Sequence, residues 1–234
     1  PSNAKNEGGM SKQIRILVYG DSNSWGYLDN QQGMRYDRRW PIEMSRHLSE
    51  THPVTLIEEC LPGRTTDLDD PVMGNGFNGR AHLETVLRSH QPLDHIVIML
   101  GTNDLKARFD RSADDIALAF ISLGQLARNL AVGQGSWAAA QPADVTLICP
   151  LVIGRRASDP AWERAEEWTG ALEKSSGLSS AIQIAGAAVS LRVIDGNQFG
   201  CSSENDPIHW SEDTHLKFGA GIASIFQKQI FGKT

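Results

Sequence analysis

A carboxylate and an imidazole three residues apart, Asp206 and His209 in the tetrad Asp206-Pro207-Ile208-His209, form the pair of side chains here best suited to moving protons. Far upstream, Ser22 stands in Gly20-Asp21-Ser22-Asn23, directly after the apolar run Ile14, Ile16, Leu17, Val18, Tyr19. A serine hydroxyl becomes a useful nucleophile when an imidazole takes its proton and a carboxylate holds that imidazole in the productive tautomer. Ser22, His209 and Asp206 would make such a triad if the fold brings the two ends of the chain together.

The elements that must do this alternate along the chain. After the first strand, Trp40-Pro41 opens a short helix to about Ser49, with Pro41 suited to the first turn, where no amide partner is needed. Val54 to Cys60 reads as a second, buried strand, and a Gly/Asn-rich loop from Leu61 to Gly79 leads to a helix ending near His90. Asp94 to Leu100 is apolar at nearly every position, the pattern of a strand covered on both faces. Ser112 caps a long helix whose Ile116, Phe120, Leu123, Ala127 and Leu130 keep the spacing of one buried stripe. Val145 to Cys149 and Leu191 to Asp195 are strands four and five, and Asp213 to about Gln229 is the closing helix. This alternation predicts an α/β fold, a three-layer sandwich with a central, mainly parallel five-stranded sheet.

In open parallel sheets, ligands bind beyond the carboxyl ends of the strands. Ser22 follows strand one, Gly63 follows strand two, Gly101-Thr102-Asn103-Asp104 follows strand three, and the Asp206 to His209 tetrad follows strand five, so four loops are predicted to face one crevice. Acyl transfer through a tetrahedral intermediate also needs donors about 3 Å from the developing oxyanion. The Ser22 amide, an amide at Gly63 where the backbone can approach closely, and the Asn103 carboxamide could supply them. Asp21 and Asp104 read as acceptors that fix their loops rather than as proton carriers.

Composition sets outer limits. At 234 residues with 40% hydrophobic content, the chain can bury a full core, and one domain over residues 10–234 is the simplest count. Ser2-Asn3-Ala4 resembles a cleaved expression tag, so residues 1–9 are read as tag or disordered leader and Met10 as a plausible native start. A net charge of −6 without a basic stripe argues against nucleic-acid binding. The three cysteines, Cys60, Cys149 and Cys201, are read as free thiols in a reducing compartment. With no bilayer-length apolar stretch and no signal-peptide region, a soluble cytoplasmic protein is expected.

Gly20-Asp21-Ser22, Gly63, Gly101-Thr102-Asn103-Asp104 and Asp206-x-x-His209 have the order and approximate spacing of the four sequence blocks of the SGNH hydrolases, also called GDSL esterases, and the chain resembles that family from Ile14 onward. It is most similar to the bacterial aryl esterase and acyltransferase branch, through Gly20 to Tyr27, Arg64 to Pro71, Ile98 to Lys106 and Asp115 to Leu118. The resemblance implies a flavodoxin-like sheet, Ser22, Asp206 and His209 as the triad, and Ser22, Gly63 and Asn103 as oxyanion donors. It further implies no metal or organic cofactor, and assembly into a homo-oligomer. Asn23 stands where the family usually has leucine, and Pro207 where glycine is frequent, a ring that could preset the Asp206 carboxylate or displace it. The segment from Ile153 to Trp168, rich in charge and tryptophan, matches the branch poorly.

The expected function is a serine esterase acting through an acyl-enzyme on small acyl esters, aryl esters included, with water or an alcohol as acceptor. Trp25 and Trp210, beside the site in sequence, suggest a short acyl chain such as acetyl, and Phe77, Phe109 and Ile153 are further pocket candidates. A carbohydrate O-deacetylase would use the same residues. A noncatalytic flavodoxin-like binding module is the alternative of another class, although Gly20 to Gly26 lacks the spacing and the lysine of a phosphate loop. His47, His52, His82, His90, His95 and His215 are assigned surface or structural roles. Asp206, His209 and His215 lack the spacing of a metal site.

Overall fold

The computed structural model describes residues 13–30 and 33–232. The leader expected over residues 1–9, and the domain start at Met10, lie outside the described residues. Five strands, β1 (Ile14–Gly20), β2 (Val54–Cys60), β3 (His95–Met99), β4 (Asp144–Cys149) and β5 (Arg192–Asp195), form one sheet in the order β2-β1-β3-β4-β5. Every pairing is parallel. The helices are α1 (Ser22–Trp25), α2 (Trp40–Leu48), α3 (Gly79–His90), α4 (Ala113–Asn129), α5 (Ala171–Ala188) and α6 (Glu212–Ile225), the last running on into a π-helical turn at Phe226–Phe231.

Burial on both faces of the sheet explains the unbroken apolar runs. Along β1 the side chains alternate: Leu17 and Tyr19 enter one core with Leu83 and Leu87 of α3, Phe120 of α4 and Ile182 of α5. Ile16 and Val18 enter the other, with Trp40 and Met44 of α2 and Phe218 and Ile222 of α6. The result is a three-layer sandwich whose central strands are β1 and β3.

Two sequence expectations need correction. β2 is an edge strand, and each of its seven residues is half-buried rather than buried. Its acidic side chains are matched from neighbouring elements, Glu58 by Arg35 and Arg39 and Glu59 by His90. The helix α5, which sequence patterning did not single out, crosses from β4 to β5. It is rich in Ala, Ser and Gly and packs Leu178 and Ile182 into the core beside α4.

Register is what makes the fold a platform. Gly20 pairs with Cys60 on one side and with Met99 on the other, so three strands end level. The loops bearing Ser22, Gly63 and Asn103 therefore leave the sheet side by side. Since β2 and β3 flank β1 in opposite directions, the crevice opens at the point where the chain reverses its winding.

The helix that carries much of the core behind this edge is closed by a capping box. The Asp115 amide donates to Ser112 Oγ at 3.1 Å, and the Ser112 amide donates to Asp115 Oδ2 at 3.0 Å. Ser112→Ala is expected to destabilise the fold by about 1 kcal/mol, and thermal melts should register it as a drop of roughly 2–4 °C.

Candidate active site

The backbone of β1 turns sharply after Gly20, and Asp21 caps the single-turn helix α1, accepting from the Asn23 amide at 2.9 Å. Gly26, with a φ of 88°, ends that turn in the left-handed region. Ser22 is thus presented at the start of a short, rigid turn and is itself largely buried. The second oxygen of Asp21 is buried without a partner among the described residues. Burial pushes the Asp21 carboxyl up to about 6, against the pull of the Asn23 amide and the nearby His209.

The structure brings His209 to Ser22 across 187 positions of sequence, with Nε2 at 3.2 Å from Oγ. On the other side of the ring, Nδ1 lies 2.6 Å from Asp206 Oδ2. The remaining Asp206 oxygen accepts from the Ile208 amide at 2.8 Å and from the His209 amide at 3.3 Å. Burial works against ionisation of Asp206, yet these bonds and the facing imidazole hold its carboxyl below the ordinary value. Pro207 sits inside this wrap without displacing the carboxylate.

Two clamps hold the tetrad. The Pro207 carbonyl accepts from the Gly154 amide at 2.7 Å, a close approach in which a Cβ on Gly154 would lie 3.1 Å from Pro207 Cα and 2.8 Å from Ser202 Oγ. The Ile208 carbonyl accepts from Asn23 Nδ2 at 3.2 Å. Asn23, where a leucine is usual, therefore ties the serine turn directly to the histidine turn. The face of the imidazole is covered by Tyr27, whose ring stacks on His209 with centroids 4.4 Å apart and planes 25° from parallel.

Gly63 and Asn103 converge on the same hollow. Gly63 has a φ of 93°, and a Cβ there would press on Met73 at 2.8 Å and on Phe77 at 3.2 Å. Asn103 donates one amide hydrogen to the Arg64 carbonyl at 3.1 Å, which fixes the carboxamide plane and leaves its other hydrogen available. Asp104 accepts from the Thr66 amide at 3.0 Å, from the Thr66 hydroxyl at 2.5 Å and from Arg111 at 3.3 Å, so it locks the Gly63 loop against the Asn103 turn. Burial raises the Asp104 carboxyl above its ordinary value despite the Thr66 and Arg111 contacts.

Ser22, Gly63, Asn103 and His209 line one pocket of about 300 Å³. Its remaining walls are Tyr27, Pro62, Met73, Lys106, Arg164, Trp168 and Ile208. Of the aromatic and aliphatic side chains expected there from sequence, none is among these walls. Trp210 points into the α2/α6 core against Phe218, and Ile153 is buried in the opposite core. Trp25 lies against Tyr27 and under the Arg35 guanidinium, Phe109 lies beside Arg108, and Phe77 stands behind Gly63. Adjacency in sequence did not decide the matter: Ile208 and Trp210 flank His209, and only Ile208 is a wall, because adjacent side chains leave an irregular backbone in different directions.

Two of the walls that sequence reasoning missed, Arg164 and Trp168, come from the segment before α5. Trp168 is buried, with Lys106 Nζ 5.7 Å from its ring centre. Lys106 is itself buried and 3.6 Å from Glu167, and burial lowers its pKa against the pull of that carboxylate. Arg108 joins Asp70 at 2.7 Å to Glu167 at 3.0 Å, stitching the loop after β2 to this segment. The signal that could have marked the region was its content of charge and tryptophan, with Arg164, Glu166, Glu167 and Trp168 close together. His215 is not part of the pocket: its Nδ1 accepts from the Trp40 amide at 3.4 Å, and burial holds its pKa near 3. Cys60, Cys149 and Cys201 are free thiols. No helix among the described residues is long and apolar enough to cross a membrane.

Comparison with known proteins places this geometry in context. The sequence model of the GDSL-like lipase/acylhydrolase family matches residues 18–217. The inhibitor-bound aryl esterase of M. smegmatis superposes with a TM-score of 0.82 at 28% identity, over 93% of this chain and 100% of that one. A carbohydrate acetylesterase from Sinorhizobium meliloti gives 0.83 at 30% identity, over 92% and 99% respectively. A further carbohydrate acetylesterase family member from the same organism gives 0.80 at 26%, over 92% and 98%. No curated protein matches the sequence.

The environment of Asp21 has a measurable consequence. Its folded-state value of about 6 exceeds the ordinary 3.8, so the folded protein holds this proton more tightly than the unfolded chain does. The associated stabilisation is present below 3.8 and is lost as pH climbs through 6. Asp21→Asn keeps an oxygen for the cap and removes the buried charge. Thermal melts across pH should show the variant gaining on the native protein as pH rises through this window, with a plateau of roughly 3 kcal/mol above it.

Proposed function

Because the chain belongs to the GDSL-like lipase/acylhydrolase family of carboxylic ester hydrolases, we propose that Ser22 is its nucleophile, His209 its general base and acid, and Asp206 the group that orients the imidazole. Ser22 Oγ attacks the ester carbonyl and its proton passes to His209 Nε2. The imidazolium so formed is held by the Asp206 carboxylate at Nδ1. Negative charge on the former carbonyl oxygen is met by the Ser22 and Gly63 amides and the free Asn103 amide hydrogen. As the intermediate collapses, His209 gives the proton to the departing alcohol, leaving an acyl group on Ser22. Water, deprotonated by the same imidazole, then releases the acid, and a second alcohol in its place would give acyl transfer.

The observation that carries this reading is one continuous contact chain, Ser22 Oγ to His209 Nε2 at 3.2 Å and His209 Nδ1 to Asp206 Oδ2 at 2.6 Å, opening into the pocket that Gly63 and Asn103 share. A short acyl group such as acetyl, on an aryl or other small alcohol, fits a pocket closed by Trp168, Met73 and Ile208. Support also comes from the likeness to the M. smegmatis aryl esterase.

A fluorophosphonate probe tests the nucleophile. Labelling should fall on Ser22, be absent in Ser22→Ala and be lost in His209→Ala and after heating, as peptide mass spectrometry would read it; an unlabelled native protein would overturn the assignment. Asn103→Ala should lower kcat on phenyl acetate by about 100- to 1,000-fold, the usual cost of one oxyanion donor.

A further inference from the structure

Beside the serine pocket lies a larger cleft of about 680 Å³. The two share Tyr27 and Arg164 as walls, and Asp206, the carboxylate bonded to His209, lines the larger one. This places the cleft on the histidine side of the serine. In an ester hydrolysed as above, the alcohol oxygen receives its proton from His209 Nε2, so the alcohol portion lies on that side and the acyl portion lies toward Gly63, Asn103 and Trp168. Tyr27, stacked on the imidazole, is the ridge past which any alcohol of more than a few atoms extends into the cleft.

The lining states which alcohols could be held there. Arg156 is exposed and uses one nitrogen on the Asn205 carbonyl at 2.7 Å, so its other guanidinium hydrogens are open. Arg164 places two nitrogens on Glu167 at 3.0 and 2.9 Å, and its third has no hydrogen-bond partner among the described residues. Glu163 is exposed and makes no hydrogen bond or ion pair among the described residues. Asn30 and Asn205 add carboxamides that donate and accept. Asp29 accepts from Tyr36 at 2.8 Å and from Ser203.

The cleft thus carries donors and acceptors of both signs. An alkyl or plain aryl alcohol would pair with none of these groups. An anionic alcohol would meet Arg156 and Arg164 but also Glu163 and Asp206. Neutral hydroxyls, each donor and acceptor at once, can satisfy guanidinium, carboxylate and carboxamide together. We infer that this cleft is an alcohol subsite for a neutral polyhydroxylated alcohol, an O-acylated sugar or similar polyol. Arg156 and Glu163 determine its specificity, and the charged segment before α5 supplies it.

The inference rests on the proposed serine chemistry, and the test separates the two. The chain and its R156A/E163A variant are assayed on 6-O-acetylglucose and on phenyl acetate, which share the acetyl group and differ in the alcohol. Both side chains are exposed, and a thermal melt of the variant establishes that it is folded. The expected result is a fall of about tenfold or more in the ratio of kcat/KM for the sugar ester to that for phenyl acetate, carried mainly by KM for the sugar ester. An unchanged ratio in the folded variant overturns the subsite. So does a native protein that cleaves phenyl acetate but not 6-O-acetylglucose, and that result leaves the esterase reading standing. Failure on both esters together with no fluorophosphonate labelling overturns the esterase reading and the subsite with it.

Discussion

Level pairing of β1 with both β2 and β3 is the constraint on which the rest of the molecule depends. Parallel strands can share an end only where their register is set by side chains buried on both faces, since a slip of one residue would turn Leu17 and Tyr19 out of one core and Ile16 and Val18 out of the other. With that register fixed, Gly20, Cys60 and Met99 stand in line, and three loops from distant parts of the chain begin within one or two strand spacings of each other. The site geometry is inherited from the core. Side chains far from the pocket, such as Phe120 and Phe218, act on it only by keeping the strands level.

Above the sheet, order is maintained by buried carboxylates that bind backbone amides. Asp21 caps the serine turn, Asp104 holds the Gly63 loop, and Asp206 wraps the histidine turn. Each group fixes a loop by accepting hydrogen bonds that water would otherwise make, and burial makes each charge more sensitive to its partners. The three differ in outcome. Asp206 gains an imidazole and its own following amides, and stays readily ionised. Asp21 and Asp104 are pushed the other way because burial outweighs what their partners return. One residue type thus has its ionisation favoured beside a histidine and disfavoured within a buried loop brace, according to what lies around it.

What could be read from sequence follows the same physics. β1 and β3 were legible because burial on both faces leaves no polar position to blur the run, and the four loop blocks were legible because glycine, asparagine and the Asp/His pair are chemically specific at those places. β2 was misjudged as buried: an edge strand and a central strand carry similar apolar content, and only pairing tells them apart. Helix α5 escaped because Ala, Ser and Gly give a faint stripe even where Leu178 and Ile182 are buried. The pocket walls were the least legible. Trp210 follows His209 directly but faces the core, while Trp168, some forty residues upstream, closes the pocket; no local pattern encodes which way a side chain leaves an irregular turn.

The distance in sequence between Ser22 and His209 has a bearing on how such a chain is made. During synthesis the serine turn is complete while the strands that carry the imidazole into place are still unmade. The Asn23 side chain of the serine turn reaches the Ile208 carbonyl, and the imidazole proposed as the base for Ser22 lies one residue further on. A chain ended before that segment lacks both, so the proposed site is a late product of folding.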